Sequence, residues 1–512
     1  MTAVALTTPT RAAAPRARRG FAALLWLAAA LISGFTMRRY LEPFDEGFLM
    51  QAAARILDGQ WPYADFGWPY GPGQPLAVAG LGRLFEPSVA WWRLLRVAAD
   101  ATAALAVWGL VRGEAGERWA LAAWLAAAVT VAQPTSANPF PVALALALCA
   151  VLAAARGRPV PAGLLAALAA FWRPELGAIA GLAAVAALLA AGERRRAAVA
   201  AATAAAAVVL LYLPFVVAAG PDRLYSELVG VSAGDGAFWH LPFPFEYGGR
   251  LRGWPPSALA EDLKDVLGFY LPLVAVLAAL LAAVAAAVRR RVGPALAGVL
   301  VLAAGCALYL VSRPDDLHAQ PLAVCACAAV PLAAYGRAHR ALRLALAATF
   351  ALIVLAGAAN RLSALLLPPD LEPVRLAGVP GIRVPPAEAA ALPAMVARVQ
   401  SLVPAGEPIY VAPLRSDLVT LTDPLVHFLT RRPNVLSRDV SLQARPAEQA
   451  RIVAALARRK PRAIVRWTDP ASARPEPNER GRPSGSRALD EYLARAYRLD
   501  GRFGRYDVLV PR

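Results

Sequence analysis

The sequence predicts an α-helical polytopic membrane protein of about eleven spans with a small C-terminal α/β domain, and three observations carry that prediction. Of its 512 residues, 58% are hydrophobic and the mean hydropathy is +0.48; water-soluble domains are nearer half apolar or less. The apolar residues fall in blocks of about 15 to 22, the length a helix needs to cross about 30 Å of hydrocarbon. That pattern stops near residue 361, Pro368-Pro369 marks the exit, and the remaining chain mixes charged and apolar residues, enough for one small domain.

The chain opens with Arg11, Arg16, Arg18 and Arg19 in a basic stretch, 1–20, followed by an apolar run too long for a cleaved leader, so it reads as a retained anchor helix. The predicted spans are 21–37, 91–111, 118–133, 139–155, 160–172, 176–191, 197–218, 267–288, 292–311, 320–336 and 343–360. Arginines mark one set of alternate loops: Arg112 and Arg118, Arg156 and Arg158, Arg194 to Arg196, Arg289 to Arg291, then Arg337, Arg340 and Arg343. Basic loops stay cytoplasmic, which places the N-terminus inside an inner (plasma) membrane and the tail, 362–512, outside. The net charge of +18 is spread in these short clusters, a pattern that orients a membrane protein rather than binding nucleic acid. Cys149, Cys306, Cys325 and Cys327 lie within apolar blocks without metal-ligand spacing and read as small core residues.

In the tail, Pro408–Pro413 and Ala463–Trp467 read as short buried strands, Ala447–Arg459 as a helix and Phe503–Pro511 as a closing strand.

The opposite loops are longer and hold every polar cluster that could do chemistry. The first, 38–90, contains Glu42-Pro43-Phe44-Asp45-Glu46-Gly47. Its acids either complement the N-terminus of a helix over Phe48–Leu57 or offer a carboxylate that accepts a proton from an incoming hydroxyl. The run Trp61-Pro62-Tyr63-Ala64-Asp65-Phe66-Gly67-Trp68-Pro69-Tyr70 is either an interfacial aromatic belt or the wall of a sugar site, with Trp61, Tyr63, Asp65 and Tyr70 as its candidates. Residues 74–87 form a second surface helix. Arg93 and Arg96 open the second span, with Asp100 one turn beyond Arg96 and placed to pair with it. Arg173-Pro174-Glu175 is a sharp reversal between two short spans, which holds Arg173 where a lipid phosphate would lie. Arg313, Asp315, Asp316 and His318 gather at the entrance of the tenth span; Arg313 offers a forked donor to phosphate oxygens, and the others could hold sugar hydroxyls or a divalent cation. His240 sits in another aromatic outer loop.

Asp45-Glu46 after the first span, Gly59-Gln60-Trp61-Pro62-Tyr63-Ala64-Asp65-Phe66, Arg173-Pro174-Glu175-Leu176-Gly177 and the Arg313/His318 cluster together resemble bacterial membrane glycosyltransferases of the GT-C superfamily. The resemblance covers about 20–360 and is nearest the branch of protein O-mannosyltransferases, aminoarabinose transferases and lipopolysaccharide-core transferases. It implies a polyprenyl-phosphate-linked sugar donor, a lipid, polysaccharide or protein acceptor, and inverting transfer with Asp45 or its neighbour Glu46 as the base. Arg313 and Arg173, then Arg93 and Arg96, would meet the donor phosphate. The rival class is a lipid or solute transporter, which would place its binding groups near the bilayer midplane within repeated halves.

Overall fold

A backbone in hydrocarbon must satisfy its own polar groups, so apolar blocks wind into helices. In the computed structural model eleven helices coincide with the eleven predicted spans. It describes residues 15–131, 138, 140–234, 236–242, 254–287, 292–335, 340–439 and 445–512. Helix α1 (Pro15–Gly34) leads to the loop helices α2 (Asp45–Leu57) and α3 (Gly73–Leu84). Then come α4 (Val89–Ala115), α5 (Glu117–Val131), α6 (Phe140–Ala155), α7 (Pro159–Trp172), α8 (Pro174–Ala190) and α9 (Arg194–Ala219). Short pieces α10 (Pro221–Tyr225), α11 (Val231–Gly234) and α12 (Gly236–Trp239) precede α13 (Pro256–Ala287), α14 (Pro294–Ser312), α15 (Asp316–Ala334) and α16 (Arg340–Leu366).

Among the described residues, six helices are long and apolar enough to cross a membrane, and four more are apolar but shorter. Alanines fill their contacts: Ala147, Ala150, Ala166, Ala169, Ala180 and Ala183 are all buried, so the helices approach closely through small residues. The predicted pair Arg96 and Asp100 is present within α4 at 3.7 Å, and Ser33 donates to Asp100 at 2.6 Å.

The tail adds β1 (Glu372–Pro373) and β2 (Arg383–Val384), paired antiparallel, then α17 (Pro386–Leu402), β3 (Tyr410–Ala412), α18 (Leu425–Thr430), α19 (Pro446–Arg459), β4 (Ile464–Trp467), α20 (Ala488–Ala496), β5 (Tyr497–Phe503) and β6 (Tyr506–Pro511). The sheet order is β3-β4-β6-β5, with β3 and β4 parallel and the other pairs antiparallel. Side chains alternate across the sheet. Ile464 packs with Ile452, Leu456, Leu489 and Leu493 of α19 and α20, while Val465, Trp467 and Val508 join the apolar core that continues into the helical bundle. The closing strand over Phe503–Pro511 is the second arm of a hairpin, with Gly504 in the left-handed region at its turn.

The tail is tied to the first loop. Arg383 donates its amide to the Arg38 carbonyl and accepts from the Tyr40 amide, at 2.8 and 2.7 Å. Arg55 of α2 forms a buried bidentate pair with Asp439 and also donates to the Leu436 carbonyl.

Candidate active site

The helix carrying the acidic motif starts earlier than its apolar spacing predicts: α2 begins at Asp45, so Asp45 and Glu46 occupy its first turn, where carboxylates suit the unpaired amides. One residue step on a helix turns a side chain by about 100°, and the two acids part company. Glu46 is fully buried and gripped by Arg93, whose Nε and Nη2 donate to Oε1 and Oε2 at 2.7 Å each. Arg93 spends its remaining donors on the carbonyls of Met37, Arg39 and Tyr40. This clamp fixes where α1 hands over to α2. Glu42 closes the turn by accepting from the amides of Phe44 and Glu46.

Asp45 instead faces a cavity of about 1000 Å³ at one end of the bundle. Among the described residues, none forms a hydrogen bond or ion pair with its carboxylate. Burial pushes it up to about 6, opposed by the fields of His318 and Arg313 and reinforced by Glu46. Burial and the neighbouring Asp45 likewise hold Glu42 well above the usual carboxylate range.

The same cavity is lined by Tyr70, Arg173, Arg313, Asp315 and His318. The loop reaches Arg173 because Gly71 lets its backbone lie on α7; a Cβ there would collide with the Phe171 carbonyl. Arg173 then sits 5.2 Å from the centroid of Tyr70, 5.1 Å from Phe140 and 4.8 Å from Tyr309, a cage of aromatic faces that suits a guanidinium. Its Nε donates to Glu175 at 2.6 Å and its Nη1 to Asn138 at 3.2 Å. Asp315 caps α15, accepting from the His318 amide at 2.8 Å and lying 2.6 Å from His318 Nδ1. Burial works against ionised Asp315, but the bonds from His318 and the charge of Arg313 outweigh it and hold the carboxyl below its usual range. Arg313 donates Nε to Asp315 at 3.0 Å and Nη1 to the Trp239 carbonyl at 3.1 Å.

The structure thus brings together Asp45, Tyr70, Arg173, Arg313, Asp315 and His318, and places other predicted residues elsewhere. Glu46 and Arg93 form the buried clamp. Arg96 lies in α4 against Asp100, beside a small side pocket that also touches His318. Trp61 packs on Phe215 and Asp65 is exposed, its carboxylate accepting from the Trp61 amide. Tyr63 is buried, left-handed, and donates to the Tyr70 carbonyl. These three shape the loop and do not line the cavity, because the chain reverses between Tyr63 and Phe66. The side chain of Asp316 lies outside the described residues. His240 lies on the cavity wall.

Sequence reading missed the tail's share. Trp467, Asp469, Arg480 and Arg505 line the cavity, and Glu476 receives Arg313 Nη2 at 3.0 and 3.1 Å. The one sequence signal there is the polar run Glu476-Pro477-Asn478-Glu479-Arg480, in which Asn478 and Arg480 donate to Glu476. Among the described residues, no three His, Cys, Asp or Glu side chains group so as to hold a metal ion.

No family model matches the chain, and no curated protein matches it in sequence. Solved structures do match in shape. ArnT from Cupriavidus metallidurans bound to undecaprenyl phosphate is similar at 15% identity and a TM-score of 0.54, over 97% of this chain and 98% of that one. AglB, an archaeal oligosaccharyltransferase from Archaeoglobus fulgidus in complex with an inhibitory peptide and a dolichol-phosphate, is similar at 12% identity and 0.54, over 96% of this chain and 74% of that one. An Archaeoglobus fulgidus oligosaccharyltransferase complexed with Zn and sulfate is similar at 14% identity and 0.51, over 86% and 67%. At these identities the likeness is one of architecture: this chain shares its fold with ArnT and with the archaeal oligosaccharyltransferase AglB.

Proposed function

We propose that the protein transfers a sugar from a polyprenyl-phosphate-linked donor to an acceptor hydroxyl at the outer face of the membrane, with inversion, and that Asp45 is the general base. The observation that carries this reading is a carboxylate with no hydrogen-bonding partner among the described residues, in one cavity with the guanidiniums of Arg173 and Arg313. An acid with no structural duty, raised to about 6, is ionised at neutral pH yet basic enough to take a proton from a hydroxyl. The cavity volume of about 1000 Å³ stands at the top of the range for single small-ligand sites, roughly 300 to 1,000 Å³, which suits two substrates meeting.

In this reading the acceptor hydroxyl loses its proton to Asp45 as it attacks the anomeric carbon, and the carbon–oxygen bond to the lipid phosphate breaks on the opposite face. The departing phosphate gains negative charge, and fixed guanidiniums in a partly dehydrated site favour that charge more than water does. Arg173, held by its aromatic cage, and Arg313, held by Asp315 and Glu476, are oriented in advance. The undecaprenyl phosphate in ArnT and the dolichol-phosphate in AglB support a lipid-linked donor on this fold. The Zn in an oligosaccharyltransferase of this fold raises a divalent cation as a cofactor; among the described residues no three His, Cys, Asp or Glu side chains group to hold one, and no step is routed through it. Transfer of a radiolabelled sugar from a polyprenyl-phosphate donor, by wild type and Asp45→Asn, tests the reading.

A further inference from the structure

A second cavity, of about 510 Å³, opens between α1, α5, α13, α15 and α16 and shares no lining residue with the first. Its polar lining includes Thr36, Arg39, Gln320, Asn360 and Arg361; its apolar lining includes Leu271 and Ile353. Arg361 stands one turn before the end of α16, which runs to Leu366, beyond the predicted end of the last span. Its Nε and Nη1 are buried and make no hydrogen bond among the described residues.

A snorkelling arginine would carry its whole head to water; this one keeps Nε and Nη1 covered. Four guanidiniums, Arg39, Arg93, Arg96 and Arg361, act on one another or on two carboxylates, Asp100 and Glu46; Glu46 is taken by Arg93, and Asp100 already holds Arg96 and Ser33. Arg39 donates Nη1 to the Ala364 carbonyl, a neutral partner, so the positive excess stays. The surroundings face lipid: Leu362, Leu365, Leu366 and Leu367 are exposed, and only 22% of the most apolar window of α16 is buried inside the protein. A half-buried forked donor whose Nε and Nη1 are covered, with excess positive charge, on an apolar wall beside lipid-facing leucines, matches a phosphate joined to a hydrocarbon chain.

We infer that the cavity beside Arg361 binds the phosphate of a membrane lipid, as a site separate from the transfer cavity. The head would take the free donors of Arg361, with Asn360 and Gln320 beside it, and its chain would run along Leu271 and Ile353 between α13 and α16. A glycerophospholipid and a polyprenyl phosphate share this chemistry, as does free phosphate in part.

The full-length protein in neutral detergent is titrated separately with phosphatidylglycerol, undecaprenyl phosphate and inorganic phosphate, and bound molecules are counted by native mass spectrometry. Wild type is expected to bind one more lipid than Arg361→Met, which weakens that event at least tenfold. Ala356→Phe, which fills the cavity while keeping Arg361, is expected to do the same. The lipid that binds more tightly identifies the source of the phosphate. In lipid-free detergent, Arg361→Met is expected to melt no lower than wild type, because it removes an uncompensated charge; if it fails to fold, Ala356→Phe decides. Equal lipid counts and affinities in wild type and Ala356→Phe would overturn the inference, as would binding of inorganic phosphate alone with neither lipid. Asp45→Asn and Arg173→Gln are expected to leave this site unchanged, so its fate and that of the transfer reading separate.

Discussion

Replacing Asp45 by Asn removes the proton acceptor and little else, since the carboxylate holds no hydrogen bond among the described residues, unlike that of Glu46. Loss of a positioned general base costs about 10² to 10⁴ in rate, or about 3 to 5 kcal/mol of barrier. The pH dependence follows from the same burial. Asp45 must be ionised to accept a proton, and burial holds it at about 6, so kcat/KM of wild type should rise about tenfold per pH unit up to about pH 6 and then level.

Stability runs the other way. A carboxyl raised from 3.8 to about 6 by folding favours the folded state below pH 4, and that contribution is lost as pH rises through 6. At about 1.4 kcal/mol per pH unit, the cost of keeping it ionised at pH 7.5 is at most about 3 kcal/mol, less whatever cavity water screens. Asp45→Asn should therefore melt at or above the wild-type temperature at pH 7.5 while transfer of radiolabelled sugar from polyprenyl phosphate falls at least a hundredfold. Turnover within tenfold of wild type, or an inflection near pH 6 that survives in the variant, would refute the assignment.

Glu46→Gln should do the reverse: it strands Arg93 as a buried cation, which costs about 3 to 5 kcal/mol, so the melting temperature drops and activity follows the folded fraction; an unchanged melting temperature would count against the clamp. Arg173→Gln and Arg313→Gln should each lower kcat about 10² to 10³ if they stabilise the leaving phosphate, with the Lys variants recovering only part because a forked donor is lost; steady-state kinetics over donor concentration reads this. Gly47→Ala would drive a Cβ into the backbone of Leu425 at the start of α18, an overpacking cost of about 1 to 3 kcal/mol, seen as a lower melting temperature and faster proteolysis of the tail.

The spans were legible because bilayer thickness imposes one length on every crossing, and the i,i+4 spacing of Arg96 and Asp100 already placed them side by side. The cluster at Arg313 to His318 was legible because charges at the entrance of an apolar helix need partners. Adjacent acids were not separable by sequence: Asp45 and Glu46 differ only in which way the first turn of α2 points, and that is set by Arg93, 47 residues away. The aromatic run hid a similar choice, since the turn between Tyr63 and Phe66 sends Tyr70, and no other aromatic ring of the Trp61–Tyr70 run, to the cavity, beside Gly67 and Pro69. Glu476 was out of reach because it meets Arg313 across 163 residues of chain, with no local pattern to announce it.

The tail's position bears on which class of protein this is. A transporter alternates access around a site near the midplane, so its binding groups must be freed from both ends in turn. Here five guanidiniums, Arg173, Arg313, Arg438, Arg480 and Arg505, and four carboxylates, Glu42, Asp45, Asp315 and Asp469, line one cavity at one end, and three of those guanidiniums come from the tail. Arg505 is fixed by Glu388 and Asp469, Arg480 by Glu476, and Arg313 by Asp315 and Glu476. Of these pairs Arg313–Glu476 ties the bundle to the tail, and moving the start of α15 away from the tail would break it, at a cost of several kcal/mol for a half-buried charge left alone. Holding still favours a site whose dipoles are set before the charge develops, which is the economy of transfer chemistry. With Glu42 pushed toward its neutral form, the balance of the cavity tilts further to the positive, the sign a lipid phosphate requires.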